Sequence, residues 1–226
     1  MMAETLFGGR PVVVTGAAGA LGAGLVEAFA AAGAEVTGVD RAELPAGRQL
    51  SGVRYVTVSV LDDDALGAAL GEGPPPWAIV NTVGGFAPHT PLTELDPAAL
   101  RQQLELNLLS AALVTKHALR LMSGTGEGRI VHTASRAATV TKGNGFPYSV
   151  SKAGVLHLVA MAAEEVRGTG ITVNCVVPSI IDTPANRRAM PGADYAFWPK
   201  IPDIARAYLF LASPGAHLIS GAAIPV

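Results

Sequence analysis

The chain has 226 residues, half of them hydrophobic and only 15% charged, with a formal net charge of -2. That is enough apolar material for one large α/β domain with a sizeable core. The lack of any block of like charge argues against nucleic acid or an anionic membrane as a partner. Cys175 is the single cysteine. It cannot form an intrachain disulfide, and its apolar neighbours mark it as a buried thiol suited to a reducing cytoplasm. No signal core and no run of about eighteen apolar residues is present, so no membrane span is expected.

In chain order, Pro11-Val-Val-Val-Thr15 reads as a buried strand. It leads into Gly16-Ala-Ala-Gly19-Ala-Leu21-Gly22, and residues 23–32 read as a helix ending at Gly33. Strand, glycine turn and helix form a dinucleotide-binding fingerprint. Glycines let backbone approach a pyrophosphate, and the helix N-terminus offers free N–H groups. A second strand over residues 34–39 ends at Asp40, eighteen residues past Gly22. A carboxylate there would accept bonds from adenosine ribose hydroxyls and repel a 2′-phosphate, which favours NAD. The adjacent Arg41 would pair with that phosphate and keeps NADP open.

Residues 53–60 alternate as a third strand, and residues 62–70 form a short helix with acids in its first turn. Residues 77–82 are a fourth strand, closed by Asn81-Thr-Val-Gly84-Gly-Phe86 at its carboxyl end, where ligands bind in such sheets. Asp96 and Pro97 start a long helix running to about Met122. Asn107 sits in its middle, and the spacing alone reads it equally well as an exposed polar position or as a functional one. A fifth strand over residues 129–133 leads to Ser135. A long helix spans residues 147–167, a sixth strand residues 171–177, a final helix residues 202–212 and a last strand residues 222–226. Strands alternating with helices throughout predict a single doubly wound, Rossmann-type parallel sheet flanked by helices, one domain over residues 1–226. His89, His117, His132, His157 and His217 lack ligand spacing, so no metal site is expected.

The chemistry centres on Tyr148-Ser-Val-Ser-Lys152. Residues four apart share a helix face. An ammonium about 4 Å from a phenol, at an effective dielectric near 20, would favour the phenolate by roughly 4 kcal/mol before desolvation. A lowering of roughly one to three pKa units would make Tyr148 an acid and base near neutral pH. Ser135 would hold the substrate oxygen that gains or loses the proton.

Together these stretches resemble the short-chain dehydrogenase/reductase family. Thr15-Gly16 and the following glycines look like its cofactor loop, and Asn81-Thr-Val-Gly84 like its Asn-Asn-Ala-Gly segment. Asn107, Ser135, Tyr148 and Lys152 match its catalytic tetrad in order and spacing. Asn174-Cys-Val-Val-Pro178-Ser-Ile-Ile181-Asp-Thr183 is similar to its segment after the sixth strand. The resemblance implies that Tyr148 exchanges a proton with the substrate oxygen and Ser135 polarises it. Lys152 would hold the nicotinamide ribose, and Asn107 would position a water. It implies cofactor contacts at Gly16, Gly19, Leu21, Gly22, Asp40, Arg41, Asn81, Gly84, Tyr148, Lys152, Pro178, Ile181 and Thr183, and assembly as a homodimer or homotetramer. Ala20, Ser59 and Ser179 depart from the common pattern without removing a group the chemistry needs.

Residues 182–198, with Gly19–Gly22 and Val83–Phe86, are also similar to quinonoid dihydropteridine reductase, an NADH-using type that lacks the serine. Three functions are therefore carried forward. The first is NAD(P)-dependent hydride transfer to or from a small carbonyl/alcohol substrate. The second is pterin reduction, and the third is a non-catalytic NAD-binding redox sensor. Phe86, Tyr195, Phe197 and Trp198 are candidates for a flat, apolar substrate pocket under a lid over residues 183–200.

Overall fold

The computed structural model describes residues 6–87, 90–140, 143 and 145–226. Seven strands form one parallel sheet in the order β3-β2-β1-β4-β5-β6-β7. They are β1 (Pro11–Thr15), β2 (Glu35–Asp40), β3 (Arg54–Thr57), β4 (Ala78–Asn81), β5 (Gly128–Thr133), β6 (Ile171–Val177) and β7 (Ala223–Pro225). The central strands are continuous apolar runs because helices cover both faces of the sheet. Their side chains alternate between two cores. Val13, Ile79, Ile130, Val173 and Cys175 point to one face, and Val12, Val14, Val80, Val131 and Val176 to the other.

The first face is covered by α2 (Asp63–Gly71), α4 (Ser110–Met122) and α5 (Phe146–Glu165), through Leu66, Leu70, Val114, Met122, Val155 and Val159. The second is covered by α1 (Ala20–Ala31) and α7 (Ile201–Ala212), through Leu25, Val26, Phe29, Ile204, Tyr208 and Leu211. The helix starts follow local chemistry. Asp62 caps α2 by accepting from the Ala65 N–H, and Asp96 caps α3 (Pro97–Gln103) by accepting from the Ala98 N–H. The chain leaves β1 for one side of the sheet and β4 for the other, which opens a crevice between their carboxyl ends.

The long helix expected over residues 96–122 is not continuous. Leu104–Leu109 is a π-helical segment between α3 and α4. It admits one extra residue per turn, and such segments recur at functional sites. Asn107 lies within it and is 1% exposed, so the exposed reading fails. Residues 182–199 contain α6 (Pro184–Ala189) and a 3-10 turn over Tyr195–Phe197. Among the described residues no helix is long and apolar enough to cross a membrane. His89 lies outside the described residues.

Phe29 is fully buried and packs on Phe7 with ring centroids 5.2 Å apart. Phe29→Ala should lower unfolding free energy by about 3–5 kcal/mol. Urea denaturation checks this; a loss below about 1 kcal/mol would mean that the α1 face is loosely packed.

Candidate active site

The glycine turn after β1 is shaped by contacts no larger residue would allow. Gly16 has φ +79°, in the region that favours glycine. A Cβ on Gly22 would fall 2.0 Å from the Gly16 carbonyl oxygen. Gly19 caps α1 without any side-chain bond to the first turn, so N–H groups there remain available to a phosphate. The cradle is braced from β4: Thr82 Oγ1 donates to the Thr15 carbonyl at 2.7 Å, and Thr15 Oγ1 donates to Asn81 Oδ1 at 2.6 Å. Asn81 Oδ1 also accepts from the Val83 N–H, and its amide nitrogen meets His132 Nδ1 at 3.3 Å. On its other side His132 Nε2 pairs with Thr115 Oγ1 at 2.9 Å. Burial, reinforced by the Lys152 charge, pushes His132 down to about 4, so the ring is neutral and structural.

Asp40 ends β2 beside this turn. Its Oδ2 accepts from the Ala18 N–H at 2.9 Å and its Oδ1 from the Ala42 N–H at 3.0 Å. The carboxylate is therefore aimed, and each oxygen keeps a free lone pair. Arg41 is exposed. These residues fit a dinucleotide: the glycines let the turn close tightly ahead of α1, whose first turn carries no side-chain cap and can receive a pyrophosphate, and an oriented acid ends the neighbouring strand where a ribose would lie.

The second half of the site lies past β4 and β5. Lys152, one turn into α5 from Tyr148, is 4% exposed and donates Nζ to the Thr133 carbonyl at 2.9 Å. Burial lowers its amine to about 8, although proximity to Cys175 opposes this. Asn107 Oδ1 accepts from the Gly85 N–H at 3.0 Å, and Nδ2 lies within bonding range of the Gly85 carbonyl, Gln103 Oε1 and Ser151 Oγ. Gly84 stands between the two groups: a Cβ there would meet Asn107 Oδ1 at 2.6 Å and Lys152 Nζ at 2.9 Å. The β4 turn, the π segment and α5 thus interlock at one small residue.

Ser135 follows β5, and its Oγ accepts from the Ala137 N–H at 3.2 Å, which leaves its proton to donate. The next N–H, of Arg136, is held by the Pro178 carbonyl at 3.0 Å. Tyr148 is half-buried, with the Phe86 ring edge-on at a centroid distance of 5.1 Å. The expected lowering of the phenol by Lys152 is not found. Burial raises the Tyr148 pKa, interaction with the Ser135 side chain pulls it part of the way back, and Lys152 is not among the groups that move it. The desolvation that the charge estimate set aside is the larger effect.

The segment expected as a lid carries an ion pair. Asp182 accepts from Arg187 Nε at 2.6 Å and Nη2 at 2.8 Å, and the guanidinium lies 4.7 Å from the centroid of the Tyr195 ring. Tyr195 packs on Trp198 at 4.8 Å and donates its hydroxyl toward the Arg187 and Met190 carbonyls. Tyr195 and Trp198 therefore brace α6, while Phe197 is 85% exposed and Phe86 61%. Thr183 caps α6 by accepting from the Asn186 N–H, and the Ile181 carbonyl holds Asn186 Nδ2. Among the described residues no group of three possible metal ligands exists.

Gln103, Ser151 and Thr133 take part in this site and were not singled out from sequence. Gln103 precedes Asn107 by four residues, and Ser151 sits beside Lys152, so helical spacing was an available signal for both. Nothing in the sequence marks the Thr133 carbonyl.

Comparison with known proteins gives the family. A family model described as short chain dehydrogenase matches residues 10–193. The chain is 36% identical to the cis-4-hydroxycyclohexanecarboxylate dehydrogenase of Sinomonas cyclohexanicum, over 97% of this chain and 96% of that one. It is 31% identical to the 3-oxoacyl-[acyl-carrier-protein] reductase MabA of Mycobacterium avium, covering 97% and 89% of the two chains. A short-chain dehydrogenase/reductase-family oxidoreductase from Burkholderia thailandensis superposes with a TM-score of 0.88 at 28% identity, covering 96% of this chain and 91% of that one. The protein belongs to the short-chain dehydrogenase/reductase family. It is an oxidoreductase acting on the CH–OH/C=O couple, in a family that binds nicotinamide cofactors.

A Lys amine that titrates at about 8 when folded and near 10.5 when unfolded costs stability in full below pH 8. That cost fades as pH rises from 8 to 10.5, where both states become neutral. Lys152→Met should therefore stabilise the protein without coenzyme at pH 7, by at most about 3 kcal/mol, less whatever the lost Thr133 bond contributes. The gain should shrink toward pH 10.5. Urea unfolding across this range tests it, and a gain that grows with pH would contradict it.

Proposed function

We propose that the chain is an NAD(P)-dependent oxidoreductase that transfers a hydride between nicotinamide and a small carbonyl/alcohol substrate, with Tyr148 as acid/base. The observation that carries this reading is the grouping of a Ser135 hydroxyl free to donate, the Tyr148 phenol and the buried Lys152 amine beside a glycine cradle. Bound nicotinamide would supply the hydride acceptor or donor at its C4 carbon.

The chain's own part is proton handling and positioning. In reduction, Tyr148 donates its proton to the substrate oxygen as negative charge develops, while Ser135 donates a hydrogen bond to the same oxygen. In oxidation the phenolate accepts the proton. Because burial holds the phenol protonated, the resting site suits reduction at neutral pH. Lys152 would hold the nicotinamide ribose hydroxyls, and the Ser135 side chain is the group that favours the phenolate once it forms. Asn107 fixes the turn that carries Gly84 and Gly85. Gly16, Gly19, Leu21 and Gly22 receive the pyrophosphate end, Asn81 and Gly84 line the crevice, and Pro178, Ile181 and Thr183 close over the nicotinamide side. Asp40 makes NAD the preferred cofactor.

The dehydrogenase from Sinomonas cyclohexanicum is named for a hydroxylated ring acid. That name and the Phe86 ring against Tyr148 support a small cyclic alcohol or ketone as the substrate class. Ser135, in place with its hydroxyl directed to Tyr148, favours this chemistry over pterin reduction and over a sensor without turnover. Assembly as a homodimer or homotetramer in the cytoplasm belongs to the same proposal.

Tyr148→Phe should reduce kcat by at least about a hundredfold while NADH affinity changes little. Steady-state rates with calorimetry decide this, and unchanged turnover would remove Tyr148 from the chemistry. For the unaltered protein, kcat/KM for alcohol oxidation should climb with pH through the neutral range as phenolate becomes available. An oxidation rate that falls as pH rises from 6 to 8 would contradict the assignment.

A further inference from the structure

Ala18 of the glycine turn is gripped at both ends. Its N–H donates to Asp40 Oδ2 at 2.9 Å, and its carbonyl accepts from Arg48 Nη2 at 3.0 Å. The carboxylate and the guanidinium therefore flank one residue, no more than about 10 Å apart given the dimensions of a single residue. Arg48 forms no ion pair with Asp40 or with any other described acid, so its charge is not neutralised locally.

Its placement is also built rather than incidental. Arg48 ends a 3-10 turn over Ala46–Arg48. That turn is held by Gln49 Nε2 donating to the Leu44 carbonyl at 2.8 Å, and Leu44 is 6% exposed. Beyond it, the Leu50 N–H donates to the Tyr55 hydroxyl at 3.2 Å. Among the described residues only one of the guanidinium's donors is used, and Arg48 is exposed.

Building on the reading of Asp40 as the ribose acid, we propose that Arg48 is a specificity-determining residue that receives the 2′-phosphate of NADP(H). A guanidinium offers a planar fork that matches phosphate oxygens, and a tethered one binds with less ordering cost. Asp40 opposes a 2′-phosphate by repulsion, and Arg48 offsets part of that repulsion from the other side of Ala18. The protein then binds NADH more tightly yet retains usable NADPH affinity. Arg41, the neighbour of Asp40 in sequence, has no such tether among the described residues.

Calorimetric titration of the full chain with NADH and NADPH tests this without turnover. Arg48→Ala should weaken NADPH binding about tenfold or more and NADH binding less than about threefold. Arg48→Lys should recover part of the NADPH affinity, since it restores charge without the fork. Arg41→Ala should cost NADPH less than Arg48→Ala does. Equal weakening of both coenzymes, unchanged NADPH binding, or a larger loss from Arg41→Ala would overturn the inference while leaving the oxidoreductase reading intact. Failure of the unaltered protein to bind either coenzyme would overturn both.

Discussion

A buried ammonium with no carboxylate partner among the described residues constrains the centre of this protein. Lys152 is 4% exposed and donates a hydrogen bond to the carbonyl at the end of β5. An ion taken out of water needs dipoles in place of solvent, or it gives up its proton. The amine's descent to about 8 is the visible part of that cost. The surroundings are fixed accordingly: Gly84 has no side chain because one would strike both the amine and Asn107, and Asn107 is oriented by Gly85, Gln103 and Ser151. The π segment widens the helix where this polar cluster needs an inward-facing amide.

The two halves of the site are mechanically one through β4. Asn81, at its end, bonds Thr15 under the glycine cradle and reaches His132 on β5. The peptides that follow Asn81 bond Asn107. Changes at the nucleotide cradle and at the proposed proton-transfer group are thus joined by a short run of buried and part-buried polar contacts. Such networks hold a single arrangement because each unmet bond in a dry interior is expensive.

Much of this was legible in sequence, for identifiable reasons. Seven strands, their order in the chain and the glycine cradle follow from apolar runs, glycine positions and helix caps, all local signals. Tyr148, Lys152, Ser135 and Asn107 were visible as a set at family spacing. Three things were not visible. Asn107's burial depends on a π segment, and nothing in Leu104–Leu109 distinguishes that winding from an ordinary helix. The direction of the Tyr148 shift depends on how deeply the phenol is buried, and depth is a tertiary property. Arg48's place beside Ala18 requires the chain between β2 and β3 to fold back, and no periodicity records such a return. The lid aromatics were read as pocket walls because their type suggested it. Type says nothing of the partners such rings take: Tyr195 packs on Trp198 and donates to the Met190 carbonyl at the end of α6.

The central claim is that Lys152 is an ammonium held in a dry site at a depressed pKa, tied to the Thr133 carbonyl and ready to donate to a ribose hydroxyl. Carbon-13 labelling of lysine side chains, with the Lys152 signal assigned by its loss in Lys152→Met, lets that amine be titrated by NMR. The account predicts a midpoint near 8 for the protein without coenzyme, moving upward when NAD ribose hydroxyls surround the amine. A midpoint at the ordinary lysine value near 10.5, indifferent to NAD, would contradict it.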